Sequence, residues 1–128
     1  MASVILRVAG AADADEVWRR YVTPACWPSW SPQIRSVRTD GDRVRGGARG
    51  EVRGHLGVRA RFVVDSVDEE ARTWVWRVRV GPLRMRLHHE VRPRPGGTLT
   101  TLRIDGAAPV VAAYALPARW ALTRLVRP

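Results

Sequence analysis

AAPVVAAYALPARWALTRLV, spanning Ala107–Val126, is the longest stretch of the chain with helical character. It is rich in Ala and Leu, and its apolar residues recur three or four positions apart. This spacing predicts a long helix with one buried face, made of Val111, Tyr114, Ala118, Ala121, Leu122 and Leu125. Pro117 lies inside the stretch and removes one backbone hydrogen bond, so we predict a kink near Ala113–Leu116.

Most of the chain before this helix alternates apolar and polar residues with the period of a half-buried strand. The predicted strands of this meander are Ile34–Thr39, Arg43–Gly54, Val58–Val67, Thr73–Val80, Leu83–Val91 and Thr98–Asp105. Two of them have a clear inner face. In Thr73–Val80 it consists of Trp74, Trp76, Val78 and Val80, and in Leu83–Val91 it consists of Leu83, Met85, Leu87, His89 and Val91. The RGGARG run, Arg45–Gly50, predicts a bend or bulge.

The pattern does not decide which side of the predicted strand Val58–Val67 faces the core. Val58, Ala60, Phe62 and Val64 share one side, and Arg59, Arg61, Val63 and Asp65 share the other.

The N-terminal part predicts one strand, Ser3–Ala9, and then a helix over Ala14–Val22. Asp13 is the expected N-cap, and Pro24 ends the helix. Cys26–Pro32, CWPSWSP, contains two prolines and is therefore predicted to be irregular or a short helical turn. Its two tryptophans either plug one end of the core or line a ligand entrance.

Composition indicates a single domain over residues 1–128, large enough for one hydrophobic core. The chain has no apolar run long enough to span a bilayer and no basic, apolar signal sequence at its start. A single cysteine, Cys26, allows no intrachain disulfide. We therefore expect a cytoplasmic protein.

One amphipathic helix after an antiparallel meander predicts a curled sheet whose concave face packs on that helix. This order resembles the START-like or Bet v 1-like (SRPBCC) superfamily, in particular its polyketide cyclase/dehydrase and lipid-transport branch. The resemblance covers nearly the whole chain. Its local matches are Glu16-Val17-Trp18, Trp27-Pro28-Ser29-Trp30-Ser31-Pro32, His89-Glu90-Val91-Arg92-Pro93 and Gly96-Gly97-Thr98.

The resemblance implies an α+β helix-grip fold. A curved antiparallel sheet of about six to seven strands would wrap around the long C-terminal helix, with one or two short helices after the first strand. It also implies a mostly apolar cavity between the sheet and the helix.

We expect this cavity to bind a hydrophobic small molecule such as a lipid, an aromatic compound or a polyketide-like chain. A competing expectation is that the tryptophan rings fill the cavity themselves, since each buries a large area. The residues expected to line it are Trp27, Trp30, Trp74, Trp76, Met85, Leu87, His89 and Tyr114.

His89 is the one candidate for acid/base chemistry, because strand alternation places it among apolar neighbours. A hydrogen-bonded core histidine is the competing interpretation. Its neighbours His88 and Glu90 point to the opposite face with no third ligand, so no metal is predicted. No glycine-rich nucleotide motif is present, and no cofactor is predicted.

An enzymatic alternative is a cyclase, aromatase or dehydratase acting on a polyketide in the same cavity. Aromatase/cyclases of the superfamily orient their substrate with a pocket tyrosine and arginine, and the matching positions here are Ile34 and Asp65. This departure counts against cyclase chemistry. Arg59 or Arg61 could replace the arginine if the strand's inner face were reversed, and Tyr114 could supply the phenol.

All 22 basic residues are arginines, set against 12 acidic residues, which gives a net charge of +10. Strand alternation gathers Arg77, Arg79, Arg84, Arg86 and Arg92 on the outer face of the sheet. Because Trp74 and Trp76 point the other way, the face lacks the stacking aromatics of single-strand binders, and nucleic acid is disfavoured. The pattern leaves open an acidic partner protein, a peripheral contact with an anionic membrane, and a monomer or homodimer.

Overall fold

A computed structural model describes all residues, 1–128. The helices are α1 (Ala14–Val22), α2 (Trp27–Trp30) and α3 (Ala108–Leu125), and short 3-10 turns lie at Pro24–Cys26 and His55–Gly57. The strands are β1 (Ala2–Gly10), β2 (Ser36–Thr39), β3 (Arg49–Arg53), β4 (Arg59–Asp68), β5 (Thr73–Val80), β6 (Leu83–Arg94) and β7 (Gly97–Gly106).

The seven strands form one antiparallel sheet in the order β1-β7-β6-β5-β4-β3-β2. Strands β2 to β7 follow one another as a meander, and β1 returns from the N-terminus to pair with β7 along its whole length. The close approach between them near Gly97 leaves no room for a side chain there. This arrangement confirms the predicted helix-grip fold.

The short helices lie between β1 and β2, as predicted. Asp13 caps α1 by accepting a hydrogen bond from the Asp15 amide at 3.1 Å. After Thr23 the chain passes through the 3-10 turn beginning at Pro24. The α1 residues Val17, Trp18, Tyr21 and Val22 are buried.

Helix α3 packs mainly against β1, with further contacts to β6, β7 and α2. Its predicted apolar stripe is buried at Val111, Ala118, Ala121, Leu122 and Leu125, while Tyr114 is half-buried. The helix runs through Pro117 without interruption. A glycine at position 10 is required because a Cβ there would overlap Val126 at the end of α3.

The inner face of β4 carries Phe62 and Val64, which are 3% and 1% exposed. Arg59 and Arg61 are exposed on the outer face. Of the two sides left undecided by the sequence, the one with Phe62 and Val64 therefore faces the core. The register between β4 and β5 shifts between Val64 and Ser66, which marks a bulge.

Two local predictions were wrong. Leu83 was expected inside, but it stands at the β5–β6 hairpin with 48% of its surface exposed, because the hairpin end projects beyond the core. In the predicted strand Arg43–Gly54, only Arg49–Arg53 is strand. The preceding glycines turn the chain, and Gly47 has a positive φ of 86°.

Candidate functional site

A cavity of about 380 Å³ lies between the inner face of the sheet and α3. Its walls come from strands β3 to β6, from the segment between α2 and β2, and from Tyr114 and Pro117 of α3. Ten of its 14 lining residues are hydrophobic. The alternation of β5 and β6 explains these walls, since Trp76, Val78, Met85 and Leu87 all point inward.

Gln33 and Tyr114 form a polar pair on this apolar wall. The Gln33 amide nitrogen donates to the Tyr114 hydroxyl at 3.3 Å, which leaves the phenolic proton free. The Gln33 carbonyl oxygen is buried with no hydrogen-bond partner. Burial raises the pKa of Tyr114, so its hydroxyl remains a donor at neutral pH.

The cavity opens between the β3–β4 turn and α3. Val58 is 48% exposed at this opening, and His55 is exposed beside it. A His55 ring nitrogen lies 3.0 Å from the Pro32 carbonyl oxygen, which ties the β3–β4 turn to the segment after α2. At the inner end, Leu87 and Trp76 are 2% and 8% exposed and close the cavity.

The structure divides the predicted site residues into two groups. Trp76, Met85, Leu87 and Tyr114 line the cavity. The others lie elsewhere. Trp27, Trp74 and His89 are in a buried aromatic cluster, and Trp30 borders a smaller polar cleft beside Arg20 and Arg124.

The aromatic cluster fills the space next to the cavity. The His89 ring stacks on Trp74 with centroids 4.5 Å apart and planes 12° apart. Trp27 stacks on Trp74 and meets Trp76 at a tilt of 57°, and its indole N–H donates to the Tyr21 carbonyl at 2.8 Å. Trp76 belongs to both regions, because its ring contacts this cluster and also faces the cavity.

His89 is held in one protonation state by a directed chain of hydrogen bonds. The Trp76 indole can only donate, so its 2.9 Å bond makes His89 Nε2 an acceptor. His89 Nδ1 then carries the proton and donates to the Tyr21 hydroxyl at 3.1 Å. The Tyr21 hydroxyl donates to the Thr100 hydroxyl oxygen at 3.1 Å, and Thr100 donates to the Glu90 carbonyl at 3.2 Å.

Burial, with a smaller effect from nearby His88, lowers the pKa of His89 to about 3. The ring is therefore neutral at physiological pH, and both of its nitrogens are engaged within the core. Burial also raises the pKa of Tyr21. These linked hydrogen bonds give partners to polar groups that would otherwise be buried unpaired among apolar rings.

The family model for "Polyketide cyclase / dehydrase and lipid transport" matches residues 1–128. This chain belongs to the polyketide cyclase/dehydrase and lipid-transport family. No curated protein sequence matches it significantly.

Solved structures show the same fold at low sequence identity. A protein of Nitrosospira multiformis has a TM-score of 0.80 and 17% identity, covering 98% of this chain and 94% of that chain. Major latex-like protein 151 of Panax ginseng has a TM-score of 0.79 and 16% identity over 97% and 94%. The di-domain ARO/CYC BexL from the BE-7585A biosynthetic pathway has a TM-score of 0.81 and 22% identity. The match covers 98% of this chain but 45% of BexL.

The two positions that the resemblance matches to an orienting tyrosine and arginine carry neither residue type. Ile34 lines the cavity and contributes only apolar surface. Asp65 is on the outer face of β4, where it pairs with Arg77 at 2.9 Å. Arg59 and Arg61 are also on that outer face, so neither can replace a pocket arginine. The phenol in this cavity comes from Tyr114 of α3 instead.

Gln33 is a lining residue that sequence reasoning missed. It is the only amide side chain in the chain, which contains no asparagine, and it directly follows the Trp-Pro segment. Its being the single amide residue, placed directly after this segment, is the one sequence feature that could have identified it. His55 and Pro117 were also missed as lining residues, because loop conformation and the placement of α3 bring them to the wall.

No group of three His, Cys, Asp or Glu side chains gathers at any point in the fold. His88 turns to Asp105 on the outer face at 3.2 Å. No helix is both long and apolar enough to cross a bilayer.

Proposed function

We propose that this family member binds a small hydrophobic molecule carrying one polar group in the cavity between the sheet and α3. The cavity volume of about 380 Å³ is at the lower end of the range for small-molecule sites, which suits a compact ligand such as a fused aromatic or a short acyl chain. Apolar burial would supply most of the affinity, since the walls are predominantly hydrophobic.

The Gln33–Tyr114 pair is the single observation that carries this proposal. It offers a free phenolic proton and an unpaired amide atom on an otherwise apolar wall. A ligand carbonyl would accept from Tyr114, and a ligand hydroxyl could also donate to the pair. Such isolated polar groups orient a ligand without adding much to its affinity.

The predicted lining residues then have different roles. Trp76, Met85, Leu87 and Tyr114 would contact the ligand directly. Trp27, Trp74 and His89 would hold Trp76 in position from behind, through ring stacking and the 2.9 Å bond from its indole. Trp30 would contribute to the packing of α2 and not to the ligand.

The test compares naphthalene with 2-naphthol, which differ by one hydroxyl, by calorimetric titration. Both should bind the unaltered protein, with 2-naphthol favoured. Ala60→Phe should abolish both, because Ala60 lies on the cavity wall. Ala9→Phe is the matched control, since Ala9 is an exposed strand residue outside the cavity. Absence of binding to the unaltered protein, or equal losses in both variants, would refute the proposal.

Orientation is tested by Tyr114→Phe. Removing one neutral hydrogen bond should reduce the preference for 2-naphthol by up to about tenfold while naphthalene affinity is kept. Equal effects on the two ligands would show that Tyr114 acts through its bulk.

A second candidate, cyclisation or dehydration of a polyketide, is favoured by the same phenol. A protonated Tyr114 could polarise a ketone, and BexL, which shares the fold, is described as an ARO/CYC protein. The cavity wall carries no carboxylate, and His55 at its mouth is the only basic side chain on it. Conversion of a poly-β-ketone that is lost in Tyr114→Phe would support this activity, whereas binding without turnover would support the carrier role.

A further inference from the structure

The outer face of the sheet places arginines opposite one another on neighbouring strands. Cross-strand neighbours of like charge destabilise a sheet unless something neutralises them. In two places a carboxylate does so. Asp65 lies 2.9 Å from Arg77 and 3.5 Å from Arg86, which face each other on β5 and β6. Glu51 lies 3.9 Å from Arg53 and 3.6 Å from Arg59, which face each other on β3 and β4.

A third row has no such partner. Arg61 on β4 faces Arg79 on β5, and Arg79 faces Arg84 on β6. All three are exposed, and none has a carboxylate within ion-pairing distance. Glu51 is opposite Arg61 across β3 and β4 but is directed at Arg53 and Arg59. We call Arg61, Arg79 and Arg84 the arginine row.

The arginine row lies at the end of the sheet where the cavity opens. Strand β4 starts here, next to the β5–β6 hairpin, and Val58 and Val80 from these two places line the cavity. The same end exposes apolar side chains. Leu56 is 100% exposed at the tip of the β3–β4 turn, and Leu83 is 48% exposed next to Arg84.

Leu56 is held at this tip in a left-handed conformation with φ of 59°. Such a backbone is unfavourable for a leucine, and the side chain gains no packing inside the protein in return. Its exposure, like the unpaired arginine row, lacks an explanation within the folded chain. Both features would be satisfied by one external surface that is anionic and has an apolar interior.

We propose that the mouth of the cavity docks on an anionic lipid bilayer. Leu56, Val58 and Leu83 would enter the headgroup region, and the arginine row would bind lipid phosphates and carboxylates at its edge. This inference rests on the proposed function, because a membrane is where an apolar ligand would enter or leave the cavity. A nucleic acid fits the surface less well, since its apolar residues are aliphatic and cannot stack on bases.

Sedimentation with phosphatidylcholine vesicles, with and without phosphatidylserine, tests the proposal. The protein should bind the phosphatidylserine vesicles only, and added salt should weaken the binding. Changing the arginine row to glutamine should weaken it on the order of a hundredfold, from three basic residues near the surface. The matched control changes Arg7, Arg45 and Arg94, which are exposed, unpaired and away from the mouth, and should cost less than about tenfold.

Leu56→Asn tests the apolar contact, because asparagine tolerates the left-handed backbone and the fold should be kept. We expect about tenfold weaker vesicle binding from the loss of leucine insertion. Equal losses in the two arginine triples, or heparin binding that matches vesicle binding with no effect of Leu56→Asn, would overturn the proposal in favour of a general polyanion surface.

Titration of 2-naphthol separates this inference from the proposed function. The arginine-row variant should bind 2-naphthol as the unaltered protein does, because the row lies outside the cavity. Binding of 2-naphthol without vesicle binding would overturn the docking surface alone. Vesicle binding without binding of naphthalene or 2-naphthol would overturn the proposed function and retain the docking surface.

Discussion

His89 should make the stability of this protein strongly dependent on pH. Its ring is 7% exposed, accepts from Trp76 and donates to Tyr21, so a second ring proton would break the bond from Trp76 inside the core. The folded state therefore binds this proton only near pH 3, whereas the unfolded chain binds it near pH 6.5. Between these values acidification favours the unfolded state.

The magnitude follows from the difference between the two pKa values. Each pH unit within the window costs about 1.36 kcal/mol of unfolding free energy, with an upper limit of about 5 kcal/mol when the window is crossed completely. From pH 6.5 to pH 4.5, the ordinary pKa values of His and Glu, we expect a loss of about 2 kcal/mol. Glu16, Glu69 and Asp105 have lowered pKa values, and most of the stability that they contribute is lost below pH 4.5.

Urea denaturation followed by tryptophan fluorescence measures this loss, with His89→Phe as the comparison. Phenylalanine keeps an aromatic ring against Trp74 but cannot titrate. It should be about 1 to 3 kcal/mol less stable at neutral pH, because the Trp76 indole N–H is left without a partner. Its stability should then change little between pH 6.5 and pH 4.5. A constant wild-type stability over this range, or the same slope in both proteins, would refute the buried neutral state of His89.

Three further changes test the packing of the fold. Gly50→Ala should destabilise the protein by about 1 to 3 kcal/mol in thermal unfolding, because the new Cβ would lie 2.5 Å from a phenylalanine ring of β4. Gly46→Ala, whose nearest atom is at 3.7 Å, should be nearly neutral, and equal effects would contradict the packing argument. Pro117→Ala should raise the unfolding temperature by restoring a helical hydrogen bond, and it should alter 2-naphthol affinity, since Pro117 lines the cavity. Unchanged affinity would show that Pro117 does not influence ligand binding. Arg20→Gln should cost about 1 to 2 kcal/mol in urea, because Arg20 donates to two carbonyls at the end of α3 at 2.7 and 2.6 Å. Arg19→Gln, whose pair with a glutamate is exposed, should cost less than Arg20→Gln, and a reversed order would refute the capping role.

The fold was largely predictable because its signals are local. The period of Thr73–Val80 and the capping of α1 by Asp13 required only neighbouring residues, and both were confirmed. The prediction from alternating apolar and polar residues was wrong at the end of a strand. Leu83 has the parity of an inner residue, but the hairpin carries it beyond the region that the helix covers.

The candidate site was less predictable, because strand parity identifies an inner face but not its neighbours. Trp74 and Trp76 have the same parity, yet Trp74 is enclosed by other rings and Trp76 borders open space. His89 likewise shares the parity of Leu87, but the rings around it complete its hydrogen bonds. Gln33 reaches the wall through an irregular segment, for which no periodicity exists.

The sequence by itself determined the element order, the inner and outer faces of the clearest strands, and the amphipathic helix at Ala107–Val126. These properties depend on residue spacing, which is a property of the chain alone. Only the tertiary structure decided which inner side chains fill the space between sheet and helix and which leave a cavity. That outcome depends on sheet curvature and on where α3 crosses it, and both result from contacts between residues distant in sequence.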